Sequence, residues 1–292
     1  MPPASHETSL SREDLIGYLD EYLNALLAHD PEQLPLAPKA KFTENTKALL
    51  LGQGLWEKAS AVRYRHAFAD PALGQAGLFA SIEEGGELSM FALRIKVAEK
   101  KISEIETIVT RKSPLVAFRP KALTRPKPIF AEVVPEAERL PRERMRAAAE
   151  LYFDGLEQSS AERVPLHPDC NRMENGLKTT NNPDFGQALS LSCADQFPYF
   201  AYIARIRDRR YTIFDEERGL AQAWVVFDNP GTARTATLPG LGVIDLPERT
   251  HRPWSQIIAE LFKIKNGLIY EIEAVIGPLP YGAGSGWGER PL

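Results

Sequence analysis

Residues 36–45, LAPKAKFTEN, and residues 166–175, LHPDCNRMEN, are two versions of one segment. The residues shared at a constant offset of 130 positions are Leu36, Pro38, Glu44 and Asn45 in the first version, and Leu166, Pro168, Glu174 and Asn175 in the second. A second pair of similar blocks, 96–109 and 262–276, follows in the same order at an offset of 167. Two ordered matches indicate an internal duplication. The increase in offset predicts about 37 extra residues in the middle of the second copy.

Each copy begins with a predicted amphipathic helix and continues as strands. In the first copy, Ser11 is a candidate N-cap, Pro31 ends the segment, and leucines recur between them every three or four residues, which is typical of one apolar helix face. Residues 88–98 alternate apolar and polar side chains, and Asn266 and Gly267 join two later stretches, which predicts antiparallel strands and a hairpin turn. We therefore expect an α+β fold.

The composition divides the chain into two domains and a connector. Six prolines between 113 and 141 favour an extended linker, so we expect a first domain over 1–112, a linker over 113–141 and a second domain over 142–292. The extra residues of the second copy fall largely in a Pro- and Gly-rich insertion at about 228–256. Such an insertion is either disordered or a lid over a pocket. The tail after Gly277 looks irregular.

Composition and motifs exclude several classes of function. The 292 residues are 43% hydrophobic with a net charge of −4, which does not favour coating of nucleic acid. The apolar runs are too short for a membrane span, and the polar N-terminus lacks the apolar core of a secretory signal. Two cysteines are too few for a disulfide framework. We expect a cytoplasmic protein with no metal site and no cofactor, because the histidines are scattered and no nucleotide-binding glycine motif follows a strand.

The segment from Tyr22 to Asp30, followed by Phe42-Thr-Glu-Asn45, resembles the first helix and first strand of the nuclear-transport-factor-2-like (NTF2-like, or SnoaL-like) superfamily. The resemblance covers both copies. It implies two fused cone-shaped domains, each a long N-terminal helix wrapped by a curved antiparallel sheet around a deep, largely apolar pocket. The two cones are expected to pack as an intramolecular pseudo-dimer, with a homo-oligomer as a further alternative. The superfamily includes ketosteroid isomerases, dehydratases, polyketide cyclases, lyases for lignin-derived aromatics, and members that only bind or dimerise.

The resemblance to ketosteroid isomerase implies roles for particular residues. Tyr22, and by repetition Tyr152, would supply the oxyanion-hole hydroxyl. Asn45 stands at the position of the general base, and asparagine cannot take up a proton. The second oxyanion donor, an acid on a later strand, falls near Ala92 in the first copy and near Ala259 or Glu260 in the second. Ketosteroid isomerisation itself is therefore not expected.

Two ionisable residues that occur in only one copy are candidates for proton transfer. His66 lies on an alternating aromatic face and could act as a general base, oriented by Glu44 or Asp70; alternatively it is a core histidine bonded to backbone. Asp195 lies in the aromatic segment 193–202, which we align with the His66 region. A carboxyl group there would have a raised pKa and could act as acid or base. The alternative is a turn cap.

Other residues are candidates for substrate contact, each with a structural alternative. The two repeated Glu-Asn pairs either face the pocket or hydrogen-bond the loop after the helix, and His251 and Trp254 of the insertion either close over the pocket or stay exposed. The full set of candidate binding residues is Glu44, Asn45, Tyr64, Glu174, Asn175, Tyr199, Tyr202, His251 and Trp254.

These observations favour a cofactor-independent lyase, dehydratase or isomerase that acts on a small, mostly apolar molecule, with aromatic, lignin-derived or polyketide-like compounds as candidates. His66 or Asp195 would move the proton, and Tyr22 or Tyr152 would stabilise oxyanion charge. The expected partner is a small-molecule ligand, with neither nucleic acid nor membrane involved. The second copy, which carries the insertion, is the one expected to hold the working pocket. The alternative is a non-catalytic ligand-binding or assembly module of the same fold.

Overall fold

A computed structural model describes residues 10–288, and residues 1–9 and 289–292, including most of the polar N-terminus, lie outside this range. The first domain contains α1 (Arg12–Ala28), β1 (Leu36–Glu44), β2 (Lys47–Ala48), β3 (Ala59–Asp70), β4 (Gln75–Glu84), β5 (Glu87–Ala98) and β6 (Lys101–Thr110). The second contains α2 (Arg142–Gln158), β7 (Leu166–Glu174), β8 (Leu177–Lys178), the single turn α3 (Gln187–Ser190), β9 (Arg205–Asp215), β10 (Leu220–Asn229), β11 (Thr235–Leu238), β12 (Gly242–Asp245), β13 (Trp254–Lys265) and β14 (Leu268–Leu279).

The first helix begins and ends as the sequence predicts. The Ser11 hydroxyl accepts from the backbone N–H of Asp14, whose carboxylate accepts from the Ser11 backbone in return, and this reciprocal cap satisfies two otherwise free donors. His29 ends the helix in the left-handed conformation. The leucines at three- and four-residue spacing turn one face into the core of the first domain.

Each domain has one six-stranded sheet with the same order of strands. The orders are β2-β1-β6-β5-β4-β3 and β8-β7-β14-β13-β10-β9. The sheets are mixed, because β1 runs parallel to β6 and β7 runs parallel to β14, which corrects the expectation of wholly antiparallel sheets. The parallel pairs arise because the strand after the helix returns beside the last strand of its own domain, whereas the other neighbours are hairpin-connected.

The repeated asparagines close these parallel pairs. The side-chain amide of Asn45 donates to the carbonyl of Val109 at 3.0 Å and accepts from its N–H at 2.9 Å. Asn175 makes the same two bonds to Ile276, at 3.0 and 2.9 Å. Both asparagines have positive φ, +47° and +44°, which asparagine tolerates better than most residues. The sequence repeat therefore preserves a structural bridge between strands.

The extra residues of the second copy form two insertions. Residues 179–204 separate β8 from β9, where only 49–58 separate β2 from β3. Residues 230–253 separate β10 from β13, where only 85–86 separate β4 from β5. The second insertion matches the one expected at 228–256 and is an ordered β11–β12 hairpin followed by a short turn. The insertion at 179–204 was not predicted.

The two sheets pack face to face through one shared apolar cluster, which includes Phe68 and Phe79 from the first domain and Trp224 and Ile257 from the second. Four further residues form two matching clamps at the interface. Asp70 binds Arg142, the first residue of α2, and Asp215 binds Arg12, the first residue of α1. The interface thus has an approximate two-fold symmetry inside one chain.

The linker follows the surface of this interface in short 3₁₀ turns, with Phe130 and Val134 buried. Beyond Leu279 the described tail is irregular, and the Trp287 indole donates to the Thr43 hydroxyl at 2.7 Å. No helix within residues 10–288 is long and apolar enough to cross a membrane.

Candidate functional site

The second domain encloses a cavity of about 360 Å³ between α2 and its sheet. The insertion 179–204, the turn at 248–251 and linker residues 114–117 complete its wall. Apolar and aromatic side chains supply most of the lining: Leu115, Leu156, Leu177, Phe185, Leu189, Tyr199, Phe200, Tyr202, Ile203, Phe227, Trp254, Ile258 and Ile276. Among the described residues that line the cavity, four are ionisable at ordinary pH: Arg172, Glu174, Arg249 and Glu260.

Arg172 is the centre of the polar part of the cavity. Its Nε lies 2.7 Å from the carboxylate of Glu174, and its Nη1 donates to the Tyr152 hydroxyl at 3.3 Å. Its Nη2 donates to the side-chain carbonyl of Gln196, and the guanidinium lies 4.7 Å from the centre of the Phe200 ring. Arg172 is almost fully buried, so these contacts replace the water that its charge would otherwise need.

Glu260 is a buried carboxyl group beside this cluster. Burial raises its pKa to about 8, with the positive charge of Arg172 opposing the shift and the negative charge of Glu174 adding to it. Burial also raises the pKa of Tyr152 well above its usual value. Glu260 is therefore mostly protonated at pH 7, and a protonated carboxyl group can donate a hydrogen bond to a ligand.

In the first domain, the corresponding space is filled by a side chain of the protein. Trp56 is buried, and its indole N–H donates to the Tyr22 hydroxyl at 3.0 Å with the two ring centres 5.3 Å apart. Glu44 accepts from the backbone N–H of Leu55 at 2.9 Å and so holds the turn that carries Trp56. Tyr22 and Glu44 serve the core of this domain.

The two copies differ most at the charged positions. Phe42 stands where the second copy has Arg172, and Leu93 stands where it has Glu260. The tyrosine and the glutamate of the repeat are kept in both copies. The polar cluster is thus a property of the second domain alone.

Five of the residues expected at the site line the cavity: Tyr152, Glu174, Tyr199, Tyr202 and Trp254. The others lie elsewhere. Asn45 and Asn175 bridge strands, and Tyr22 and Glu44 make their contacts within the first domain.

His66 and Tyr64 lie at the interface between the domains, not inside a cone. The Nδ1 of His66 is 2.7 Å from one carboxylate oxygen of Glu273, and the Tyr64 hydroxyl donates to the other at 2.6 Å. Glu44 and Asp70 were expected to orient His66. Glu44 instead accepts from the backbone N–H of Leu55, and Asp70 accepts from Arg142. The expectation was wrong because the face of β3 that carries His66 packs against the other sheet.

Asp195 and His251 also lie outside the cavity lining. Asp195 is exposed and accepts from the Ser192 hydroxyl at 2.7 Å while its own N–H bonds back to it, which is the turn cap given as the alternative. The segment 193–202 precedes β9, the counterpart of β3, so it is not equivalent to the His66 region. In the insertion turn, Arg249 lines the cavity and His251 does not.

Sequence reasoning missed Arg172, Gln196 and Arg249, and named Glu260 only as one of two positions for an oxyanion donor. For Arg172 and Glu260 the available signal was the substitution of charged for apolar residues between aligned copies, whereas Gln196 and Arg249 lie in insertions and have no counterpart to compare. Among residues 10–288, no group of three His, Cys, Asp or Glu side chains is placed to hold a metal ion.

A family model described as "Domain of unknown function (DUF8021)" matches residues 138–276, which run from the end of the linker into β14. No curated protein matches the sequence. Solved structures that resemble the chain include an NTF2-like protein of unknown function from Cytophaga hutchinsonii, with 12% identity over 35% of this chain and 93% of the other and a TM-score of 0.28.

Two further similar structures belong to proteins that are named for an activity. A putative polyketide cyclase from Xanthomonas campestris pv. campestris is 15% identical over 46% of this chain and 90% of the other, with a TM-score of 0.31. A steroid delta-isomerase from Pseudomonas aeruginosa is 17% identical over 33% of this chain and 80% of the other, with a TM-score of 0.28. The chain itself has two fused α+β domains, each a long helix followed by a six-stranded mixed sheet, and the prediction of two such domains is confirmed.

Proposed function

We propose that the cavity of the second domain is the active site of a lyase, dehydratase or isomerase that moves a proton next to a carbonyl group of a small substrate. The observation that carries this proposal is the pairing of a protonated buried carboxyl, Glu260, with a carboxylate, Glu174, in one cavity. Two carboxyl groups kept in different protonation states can act as hydrogen-bond donor and as base. Neither His66 nor Asp195 is needed for this chemistry.

The hydrogen bonds form a chain that ends at the substrate. Arg172 donates to the Tyr152 hydroxyl. In the proposed mechanism Tyr152 donates in turn to the carbonyl oxygen of the Glu260 carboxyl group, whose O–H donates to a substrate carbonyl oxygen. Negative charge that develops on this oxygen during enolisation would be stabilised more strongly than the neutral carbonyl. The polarising effect of Arg172 reaches the substrate through Tyr152.

Glu174 is the base in this mechanism. It takes a proton from the carbon next to the carbonyl, and the electron pair of the broken C–H bond moves to the carbonyl oxygen as an enol or enolate. Return of the proton to another carbon gives an isomerisation. Departure of a group from the adjacent carbon, with its bonding electrons, gives an elimination, and the carbonyl re-forms in both cases.

The experiment uses hydrogen–deuterium exchange, which can be measured without knowing the natural substrate or its product. Simple aryl and cyclic ketones, such as acetophenone and 2-tetralone, are incubated with the protein in deuterated buffer, and loss of the protons next to the carbonyl is followed by NMR. Wild-type protein should accelerate exchange, and Glu174→Gln and Glu260→Leu should each lower the rate at least about 100-fold, the range removed with one acid–base group. Variants His66→Gln and Asp195→Asn are matched controls and should stay within about twofold.

Two results would count against the proposal. Exchange that survives in both Glu174→Gln and Glu260→Leu would exclude these carboxyl groups from the chemistry. Binding of the ketones without any acceleration of exchange by the wild type would favour the non-catalytic ligand-binding module, because an apolar cavity is sufficient for binding.

A further inference from the structure

The cavity has a second polar region formed by residues that have no counterpart in the first domain. Tyr199 and Tyr202 belong to the insertion 179–204, and Arg249 belongs to the insertion 230–253. Both tyrosines are more than nine-tenths buried and line the cavity, and their ring centres are 6.0 Å apart. Within residues 10–288, neither hydroxyl has a hydrogen-bond partner. A buried tyrosine usually finds a hydrogen-bond partner for its hydroxyl, so two such tyrosines on the wall of one cavity point to a ligand.

Arg249 is an exposed cation in the lining of the same cavity, close enough for its charge to act on the Tyr202 hydroxyl. Its side chain forms no ion pair or hydrogen bond with any residue that the structure describes. Its backbone is fixed, because its carbonyl accepts from the Trp254 indole at 3.0 Å and the next carbonyl, of Thr250, accepts from Asn229 at 3.0 Å. The guanidinium is therefore free to bind a ligand, and the backbone that carries it is held in place.

The charges of the cavity lining leave an excess of one positive charge. Arg172 is balanced by Glu174, Glu260 is mostly neutral at pH 7, and Arg249 remains. One carboxylate on the ligand would balance this charge, whereas a phosphate group, with a charge near −2, would exceed it. An arginine fork and phenolic hydroxyls also match the two oxygens of a carboxylate.

We infer that the substrate is a keto acid with an apolar or aromatic middle, whose carboxylate binds Arg249, Tyr199 and Tyr202 while its carbonyl faces Glu260. The inference rests on the proposed function for the carbonyl end. The aromatic wall between the two polar regions, which includes Phe200 and Trp254, accepts the middle of such a molecule.

The test compares two probes that share one acetylphenyl skeleton, of which only one carries a negative charge. Binding of 4-acetylbenzoate and of its methyl ester is measured by calorimetry, and exchange of their acetyl protons is measured by NMR in deuterated buffer. Wild-type protein should bind the acid at least about tenfold more tightly than the ester, as expected for a charged hydrogen bond of about 1.5 kcal/mol. Arg249→Ala should remove this preference and leave the ester unchanged. Arg252→Ala, an exposed arginine of the same turn that does not line the cavity, is the matched control and should keep it.

The outcomes separate the two proposals. Three results would each overturn the inference. The first is equal affinity for acid and ester, and the second is an acid preference that survives in Arg249→Ala. The third is failure of the acid to bind at about 10 mM, a concentration above the KM of typical enzymes. Acid-selective binding that depends on Arg249 but gives no exchange would uphold the carboxylate site and contradict the proposed chemistry. Exchange of both probes at the same rate would uphold the proposed chemistry and contradict the carboxylate site.

Discussion

Glu260→Gln should make the stability of the protein less sensitive to pH. The folded-state pKa of Glu260 is about 8, against an ordinary value of 4.5. Between these values the native state keeps a proton that the unfolded state has lost, so the free energy of unfolding falls as the pH rises. The contribution of Glu260 is fully present below pH 4.5 and is lost as the pH rises through 8. Glutamine keeps the shape and an acceptor for Tyr152 but cannot ionise.

The size of the effect follows from the two pKa values. A difference of one pKa unit corresponds to about 1.4 kcal/mol, so the wild type should lose about 3 to 4 kcal/mol relative to Glu260→Gln between pH 5 and pH 8. Urea unfolding of both proteins at pH 5, 6.5 and 8, followed by tryptophan fluorescence, gives this difference. Other titrating groups, including Glu44 and Glu271, whose pKa values are also raised by burial, contribute equally to both proteins and cancel.

A matched control is Glu87→Gln, which removes an exposed carboxylate. Its difference from the wild type should stay constant over the same range. A constant difference for Glu260→Gln, within about 0.5 kcal/mol from pH 5 to pH 8, would mean that Glu260 is already ionised in the native state at neutral pH. That result would refute its role as a hydrogen-bond donor.

Two further predictions concern the divergence and the conservation of the copies. Trp56→Ala should lower the free energy of unfolding by about 3 to 5 kcal/mol, because it empties the first cone. Added indole should restore part of this loss in a thermal-shift assay. An absence of rescue by indole would mean that the space collapses. Asn175→Ala should cost about 1 to 2 kcal/mol more than Asn175→Gly in urea unfolding. Both variants lose the two bonds to Ile276, but alanine also disfavours the positive φ, which glycine adopts freely. Equal losses for the two variants would show that backbone conformation contributes nothing.

The fold could be predicted because the residues that define it are repeated. Asn45 and Asn175 are conserved between the copies because each closes a parallel strand pair, a role that both domains need. The spacing of apolar residues in the helix likewise predicts one apolar face, which must be buried however the helix packs on the sheet. The parallel pairing itself was missed, since alternation of side chains gives the burial of a strand but not the direction of its neighbour.

The candidate base His66 shows where strand patterns stop being informative. The face of β3 with Tyr64, His66 and Phe68 was correctly expected to be apolar and aromatic. A sheet that packs on both sides, however, has two buried faces, and one faces the helix while the other faces the second sheet. Nothing in the local pattern distinguishes them. The partner, Glu273, lies more than 200 residues further along the chain.

The charged residues of the cavity were missed for a different reason. In sequence, Arg172 has acidic and polar neighbours and looks like a surface charge, and Gln196 lies in an insertion with no periodic pattern. Their contact exists only because β7, α2 and the insertion 179–204 meet in the fold. Aligning the copies gives the missing signal for Arg172. It aligns with Phe42, and a position that is buried and apolar in one domain is expected to be buried in the other.

This asymmetry between the copies is itself an argument for function in the second one. Burying Arg172 and Glu260 costs free energy that an apolar pair such as Phe42 and Leu93 does not, since charged and polar groups lose hydration and ion pairs only partly compensate. The first domain shows that the same fold closes well with apolar residues and Trp56. The shared interface and the filled first cone form large apolar clusters. Burial of these clusters stabilises the protein and offsets the free energy that the open, polar cavity costs. Residues kept at such a cost, in the copy whose cone holds a cavity, are the residues that we expect chemistry to require.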